Sequence, residues 1–108
     1  MRAYRFDAEA LEEYEAAAVY YTLRDEAVGR AFITAVEETI ARSRRNPGVG
    51  ARILDVNARH DLRRLLVPRF PFTVNYALID ETVYVLAVAN THRRLNYWRD
   101  RLLRPQGD

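Results

Sequence analysis

Two adjacent arginines, Arg63 and Arg64, and a second basic run, His92-Arg93-Arg94 followed by Tyr97 and Trp98, are the residues of this chain best suited to chemistry. Arg69, just after Pro68, adds another cation. Guanidinium holds phosphate or carboxylate firmly but keeps its proton, so it stabilises charge and shuttles protons poorly. The proton-transfer candidates beside these arginines are His92 and Tyr97. A cationic groove edged by aromatic rings suits single-stranded RNA, with arginine on phosphate and rings on bases. It equally suits an acidic protein surface. Trp98 reads more simply as a core residue, because large aromatics dominate small cores.

Other chemistries lack their residues. All 17 basic side chains are arginine, so no lysine base, Schiff base or phosphate anchor is available. There is no cysteine, which excludes disulfides, thiolate nucleophiles and cysteine-based zinc sites. His60 and His92 are the only histidines and have no metal-ligand spacing. Ser43 is the only serine and no GxSxG elbow surrounds it. The glycines form no phosphate-binding loop. Neither a metal nor an organic cofactor is expected.

Charge is unevenly distributed. Residues 1–41 carry 4 Arg against 9 Asp and Glu, whereas residues 42–108 carry 13 Arg against 6, for a net charge of +2. The basic half suits phosphates or an acidic partner, or is simply a solvated surface. The N-terminus lacks a signal-peptide pattern and the longest apolar run, Val83 to Ala89, is too short to cross a bilayer. A cytoplasmic protein with no membrane partner is expected.

The elements that must position these residues follow from periodicity. Tyr4-Arg5-Phe6 reads as a short extended segment and Asp7 as a helix N-cap. Leu11, Tyr14, Ala18 and Tyr21 then form one helical stripe, with Glu9, Glu12, Glu13 and Glu15 near the positive helix end. Asp25 caps a second helix, marked by Val28, Phe32, Val36 and Ile40 and stopped at Asn46-Pro47-Gly48. The two make an antiparallel hairpin. Residues 48–60 read as loop. Leu62 to Val67, Phe72 to Ile79 and Val83 to Ala89 read as an antiparallel meander, with the last strand central. Asn96 is expected to cap a short helix, Tyr97 to Leu103, and Pro105 to Asp108 to fray. Arg63 and Arg64, being adjacent on a strand, point to opposite faces. The order β-α-α-β-β-β-α gives an α+β fold, a helical hairpin packed on one face of a small, mostly antiparallel sheet, within one domain over residues 1–108.

The stretch from Arg63-Arg64-Leu65 through Arg69-Phe70-Pro71-Phe72, then Val85-Leu86-Ala87-Val88-Ala89, and Arg93 with Tyr97-Trp98-Arg99 resembles the toxins of the RelE/ParE superfamily of bacterial type II toxin–antitoxin systems. The N-terminal strand, the acidic first helix with Tyr20-Tyr21 and the second helix ending near Asn46-Pro47 fit the same pattern. The resemblance covers nearly the whole chain.

What the resemblance implies depends on the branch. The Arg-Phe-Pro-Phe and Tyr-Trp-Arg signatures are closer to ParE-like toxins, which poison DNA gyrase and are not known as nucleases. Many of those carry histidine after the last strand, where this chain has Asn90, with His92 two residues on. On that reading Arg63, Arg64, Arg69, His92, Arg93 and Arg94 would contact the target. RelE-like relatives instead cut mRNA on the ribosome with a basic cluster, often including lysines. That alternative would assign Arg63, Arg64, Arg93, Tyr97 and His92 to catalysis, although lysine is missing here and the proton-transfer groups are few. A non-toxic binding remnant is the third possibility. A cognate antitoxin is implied as partner, with Leu11, Tyr14 and Tyr21 of the first helix and the basic half as its expected contacts. Direct DNA binding is not assigned to this chain.

Overall fold

Asp7 and Asp25 divide the first half of the chain. In the computed structural model, which describes residues 1–55 and 59–103, Asp7 ends strand β1 (Ala3–Phe6) and caps helix α1 (Ala8–Arg24). Its carboxylate accepts from the backbone N–H of Glu9 at 2.9 Å and of Ala10 at 3.3 Å. Asp25 lies between α1 and helix α2 (Glu26–Arg45) and serves both. Its N–H donates to Tyr21 O at 2.9 Å, ending α1, while its carboxylate accepts from Ala27 N and Val28 N, starting α2. A single extended residue therefore makes the hairpin turn, as the capping pattern predicts. Close approach of the helices depends on Gly29, where an added Cβ would lie 2.1 Å from the Thr22 hydroxyl oxygen and 2.8 Å from its Cα.

Strands β2 (Ala51–Arg52), β3 (Asp61–Leu66), β4 (Phe72–Ile79) and β5 (Thr82–Asn90) complete a five-stranded sheet in the order β1-β5-β4-β3-β2. β5 is internal, as its apolar run implies. The β3-β4-β5 meander is antiparallel, while β1 pairs with β5 in parallel. Asp80 and Glu81, with φ of 50° and 64°, form the two-residue β4–β5 loop, the left-handed geometry that matches strand twist.

The helical hairpin covers one sheet face. Phe32 of α2 is its hub, with ring centroids 5.0 Å from Tyr21, 5.2 Å from Phe70 and 5.1 Å from Phe72. Val74, Tyr76, Val83, Val85 and Val88 fill the same layer. The opposite face carries a second apolar cluster of Leu62, Ala77, Leu86, Ala87, Ala89 and Trp98. A register shift between Asn75 and Tyr76 inserts Leu86 as an extra residue in β5. The bulge lets Leu86 and Ala87 join the same cluster, which strict alternation would forbid.

Two expectations are revised. The segment 48–60 is not all loop: a 3₁₀ turn (Pro47–Val49) leads into β2, which adds to the β3 edge. The C-terminal element is a 3₁₀ segment, Arg99–Leu103, and not a helix starting at Tyr97. Asn96 does not cap it as expected, because its φ is 58° and its side-chain oxygen is engaged by Arg64. Asn96 contributes only its backbone oxygen, which accepts from Arg99 N at 3.1 Å. Of the expected antitoxin contacts on α1, Tyr14 and Tyr21 are half-buried and Leu11 is exposed. The two tyrosines pack with Ala18 against the main cluster, and the exposed apolar line of that helix is Leu11, Val19 and Leu23. The expected frayed tail, Pro105 to Asp108, lies outside the described residues. No described helix is long and apolar enough to cross a membrane.

Candidate functional site

Register decides which of the paired arginines reaches the face opposite the hairpin. Arg63 stands opposite Tyr76 and Arg64 opposite Asn75. Leu65 and Tyr76 belong to the helix-side core, so Arg63 shares that side and Arg64 points away from it.

Arg63 is committed to structure. Its Nε donates to Asp61 Oδ2 at 3.0 Å, and its Nη1 donates to the carbonyls of Gly48 and Gly50, each at 3.0 Å. Beside it, the Tyr76 hydroxyl donates to Pro47 O at 2.7 Å and accepts from Gly50 N at 3.1 Å. Together these bonds fasten the 3₁₀ turn and β2 to the sheet edge.

Arg64 floors a cavity of about 130 Å³ on the other face. Its Nε donates to Asn75 Oδ1 at 2.9 Å and its Nη2 donates to Asn96 Oδ1. Asn75, fully buried in mid-strand, is held in turn by donating Nδ2 to the Thr73 hydroxyl at 2.9 Å. Arg64 makes no ion pair with any described carboxylate, and burial pulls its pKa below the usual guanidinium range. Arg93, Arg94, Asn90 and Tyr97 also line the cavity, with buried Trp98 and Ala89 as its apolar walls.

Tyr97 is fixed from behind. The Arg93 guanidinium lies 3.9 Å from its ring centroid and its hydroxyl donates to Glu13 Oε2. Burial first, and the Glu13 hydrogen bond second, push its pKa up to about 12. Glu13 also receives Arg101 through Nη1 and Nη2, both at 2.9 Å, and the backbone N–H of Val88 at 3.2 Å. Arg101 Nη1 donates further to Leu86 O at 2.9 Å, at the β5 bulge. Beyond the end of β1, these two side chains satisfy the open edge of β5.

The cavity therefore gathers Arg64, Arg93, Arg94 and Tyr97 and leaves out three other predicted residues. Arg63 is on the opposite face. Arg69 occupies the β3–β4 turn at φ 69°, exposed and away from the lining. His92 is exposed outside it, with its backbone N–H donating to Asn90 Oδ1 at 2.9 Å. Sequence reasoning missed Asn75 and Asn96, which grip Arg64, and Glu13, which grips Tyr97. Asn75 had a signal, a carboxamide in the middle of a strand that is apolar apart from it and Thr73. Glu13 had none that distinguished it from its acidic neighbours.

A family model described as the ParE toxin of the type II toxin–antitoxin system parDE matches residues 4–95. The chain belongs to the ParE toxin family. It is a type II toxin–antitoxin toxin, and a cognate antitoxin is its partner. The ParE match spans the hairpin and the sheet from Tyr4 of β1 onward, but ends before Tyr97 and Trp98, which line the cavity, and before Arg101. A solved structure described as the chromosomal ParDE toxin–antitoxin system from P. aeruginosa is similar, with a TM-score of 0.58 at 16% identity, over 83% of this chain and 96% of that one. That likeness confirms a ParE-type α+β fold. A search of curated proteins finds no matching relative.

Proposed function

We propose that this ParE-family toxin acts on DNA gyrase, holding it without cutting nucleic acid. Family membership supplies the frame, and the state of Tyr97 carries the choice of branch. RNA cleavage of the RelE kind needs a base for the 2′-hydroxyl and an acid for the leaving oxygen. In this cavity the arginines keep their protons, the Tyr97 hydroxyl is given to Glu13, and His92 stands outside. The described lining holds charge-stabilising groups without a proton-transfer pair, which supports binding over ribonuclease catalysis. Neutralisation would follow when the antitoxin covers the exposed apolar line of α1, Leu11, Val19 and Leu23.

Two assays on one folded sample test this: supercoiling by purified gyrase and mRNA integrity in a translating extract. Supercoiling should stop at saturating toxin while mRNA stays intact. Unimpaired supercoiling, or mRNA cut in the ribosomal A site, would overturn the proposal.

A further inference from the structure

Arg64 poses an electrostatic problem that the chain does not solve internally. Its guanidinium is part-buried between two neutral carboxamide oxygens, and no described carboxylate reaches it. A part-buried cation is stabilised when an anion shares its site. Its Nη1 has no partner among the described residues. Asn75 and Asn96 both turn their oxygens to Arg64, and Asn90 gives its oxygen to the backbone of His92. The polar groups left to the cavity by Asn90 and Asn96 are then side-chain N–H donors. Arg94, which is exposed, adds a second guanidinium to the lining. Arg93 is less available, because it stacks on Tyr97 and also lines a neighbouring hollow with Glu9 and Asp100. The described walls contain no Asp or Glu. A cavity that offers donors and positive charge, without acceptors of its own charge class, selects an oxyanion.

We infer that this cavity is a receptor for a single carboxylate presented by a partner protein. The walls favour that source over a nucleic-acid phosphate. Trp98 and Ala89 line the cavity beside the guanidinium, and Leu95 stands at its rim 71% exposed. Leu66, two positions from Arg64 on the same strand face, is 69% exposed. A Glu or Asp side chain would lay its apolar stem on these walls while its head meets Arg64. A nucleic-acid strand calls instead for a track of cations matching successive phosphates, and the apolar rim interrupts such a track. The inference does not depend on which cellular protein is the target.

The test follows the Arg64 Nε–H and the Asn90 and Asn96 side-chain amide signals by NMR. Sodium acetate, inorganic phosphate and, as an ionic-strength control, sodium chloride are added to the full chain. Capped Leu-Glu-Leu and Leu-Gln-Leu peptides and a single-stranded RNA decamer follow. Acetate should give saturable shifts that chloride does not, and the Glu peptide should bind at least about tenfold more tightly than its Gln counterpart. Asn96→Asp places a carboxylate beside Arg64 in a residue type that tolerates the same backbone. It should stay folded, melt higher and lose acetate binding, and Arg94→Gln should weaken Glu-peptide binding several-fold. Equal binding of the Glu and Gln peptides, or unchanged acetate binding by Asn96→Asp, would remove the receptor from this place. Phosphate and RNA binding more tightly than the Glu peptide would replace the protein carboxylate with a nucleic-acid phosphate.

Discussion

Glu13 and Tyr97, 84 positions apart, share a hydrogen bond in which the phenol donates to the carboxylate. The bond ties the first helix to the segment after the last strand. Arg101 grips the same carboxylate and is itself 7% exposed, with Asp7 at 3.9 Å and Glu9 at 3.3 Å as further acidic neighbours. The acidic N-terminal half and the basic C-terminal half thus meet inside the molecule as well as at its surface.

Removing the hub of this network leaves a buried guanidinium with weaker partners. Glu13→Ala should destabilise the fold by about 3 kcal/mol, the lower range for breaking a buried ion pair. Asp7 and Glu9 hold the loss near that end. Exposed Glu12→Ala should change stability by less than about 0.5 kcal/mol. Urea denaturation of the two variants checks the difference, and equal midpoints would refute the hub role.

High pH should unfold this protein by a defined route. Tyr14, mainly by burial and then by Glu37, and Tyr97, mainly by burial and then by Glu13, are both pushed up to about 12 from an ordinary value of 10.0. The folded state holds these two protons more tightly than the unfolded state. Their contribution to stability is complete below pH 10 and is lost as pH rises to about 12. Burial also pushes Tyr21 and Tyr76 up, so phenolate absorbance should show four of the seven tyrosines titrating late or only on unfolding. Tyr97→Phe should reduce that late fraction by one.

Gly29→Ala offers a test in which local and global effects have opposite signs. Alanine raises helix propensity by about 1 kcal/mol. The Cβ would meet Thr22 backbone at 2.8 Å, and overpacking costs about 1–3 kcal/mol. A net loss of stability is expected, read as a lower melting temperature. Gly29→Ala combined with Thr22→Gly should regain part of it, because the added Cβ would no longer meet the hydroxyl.

Arg63 and Arg94 should separate structure from binding. Arg63→Gln forfeits bonds to Asp61, Gly48 and Gly50 and should lower stability by about 1–2 kcal/mol, with gyrase inhibition per folded molecule unchanged. Arg94→Gln should alter stability by less than about 0.5 kcal/mol and weaken partner binding. Parallel melting and supercoiling measurements on the two variants would show the reverse assignment if the face argument is mistaken.

Local signals were the readable ones. Asp7 and Asp25 were legible as caps because a cap is a short-range bond between a side chain and the next turn. β4 was legible because its alternation runs over eight residues. β2 was not, since two residues carry no period. Nor was the β5 bulge, because an all-apolar run hides which side each residue faces. Asn96 resembled a cap because asparagine is a good one, but it is equally suited to a left-handed backbone, and Arg64 takes its oxygen. For the site, alternation put Arg63 and Arg64 on opposite faces without saying which was which. The choice came from Leu65, whose place in the helix-side core turns Arg64 outward. Glu13 was one of four carboxylates early in α1, and only its position over the β5 edge sets it apart.

The parallel pairing of β1 with β5 gives the molecule an order of assembly. Arg2 and Glu81, joined at 3.1 Å, are 79 positions apart, so the first strand has no partner until the last one exists. On the ribosome the helical hairpin emerges early and closes on local contacts, while the sheet that covers Phe32 and Tyr21 is still being synthesised. Closing so long a loop is slow compared with forming helices. The Arg64 cavity needs β3, β4 and the turn at Asn96 together, so it is among the last features to form. A nascent chain therefore displays its hairpin well before it has a finished cavity, and a partner that recognises the hairpin can meet the toxin before it is complete.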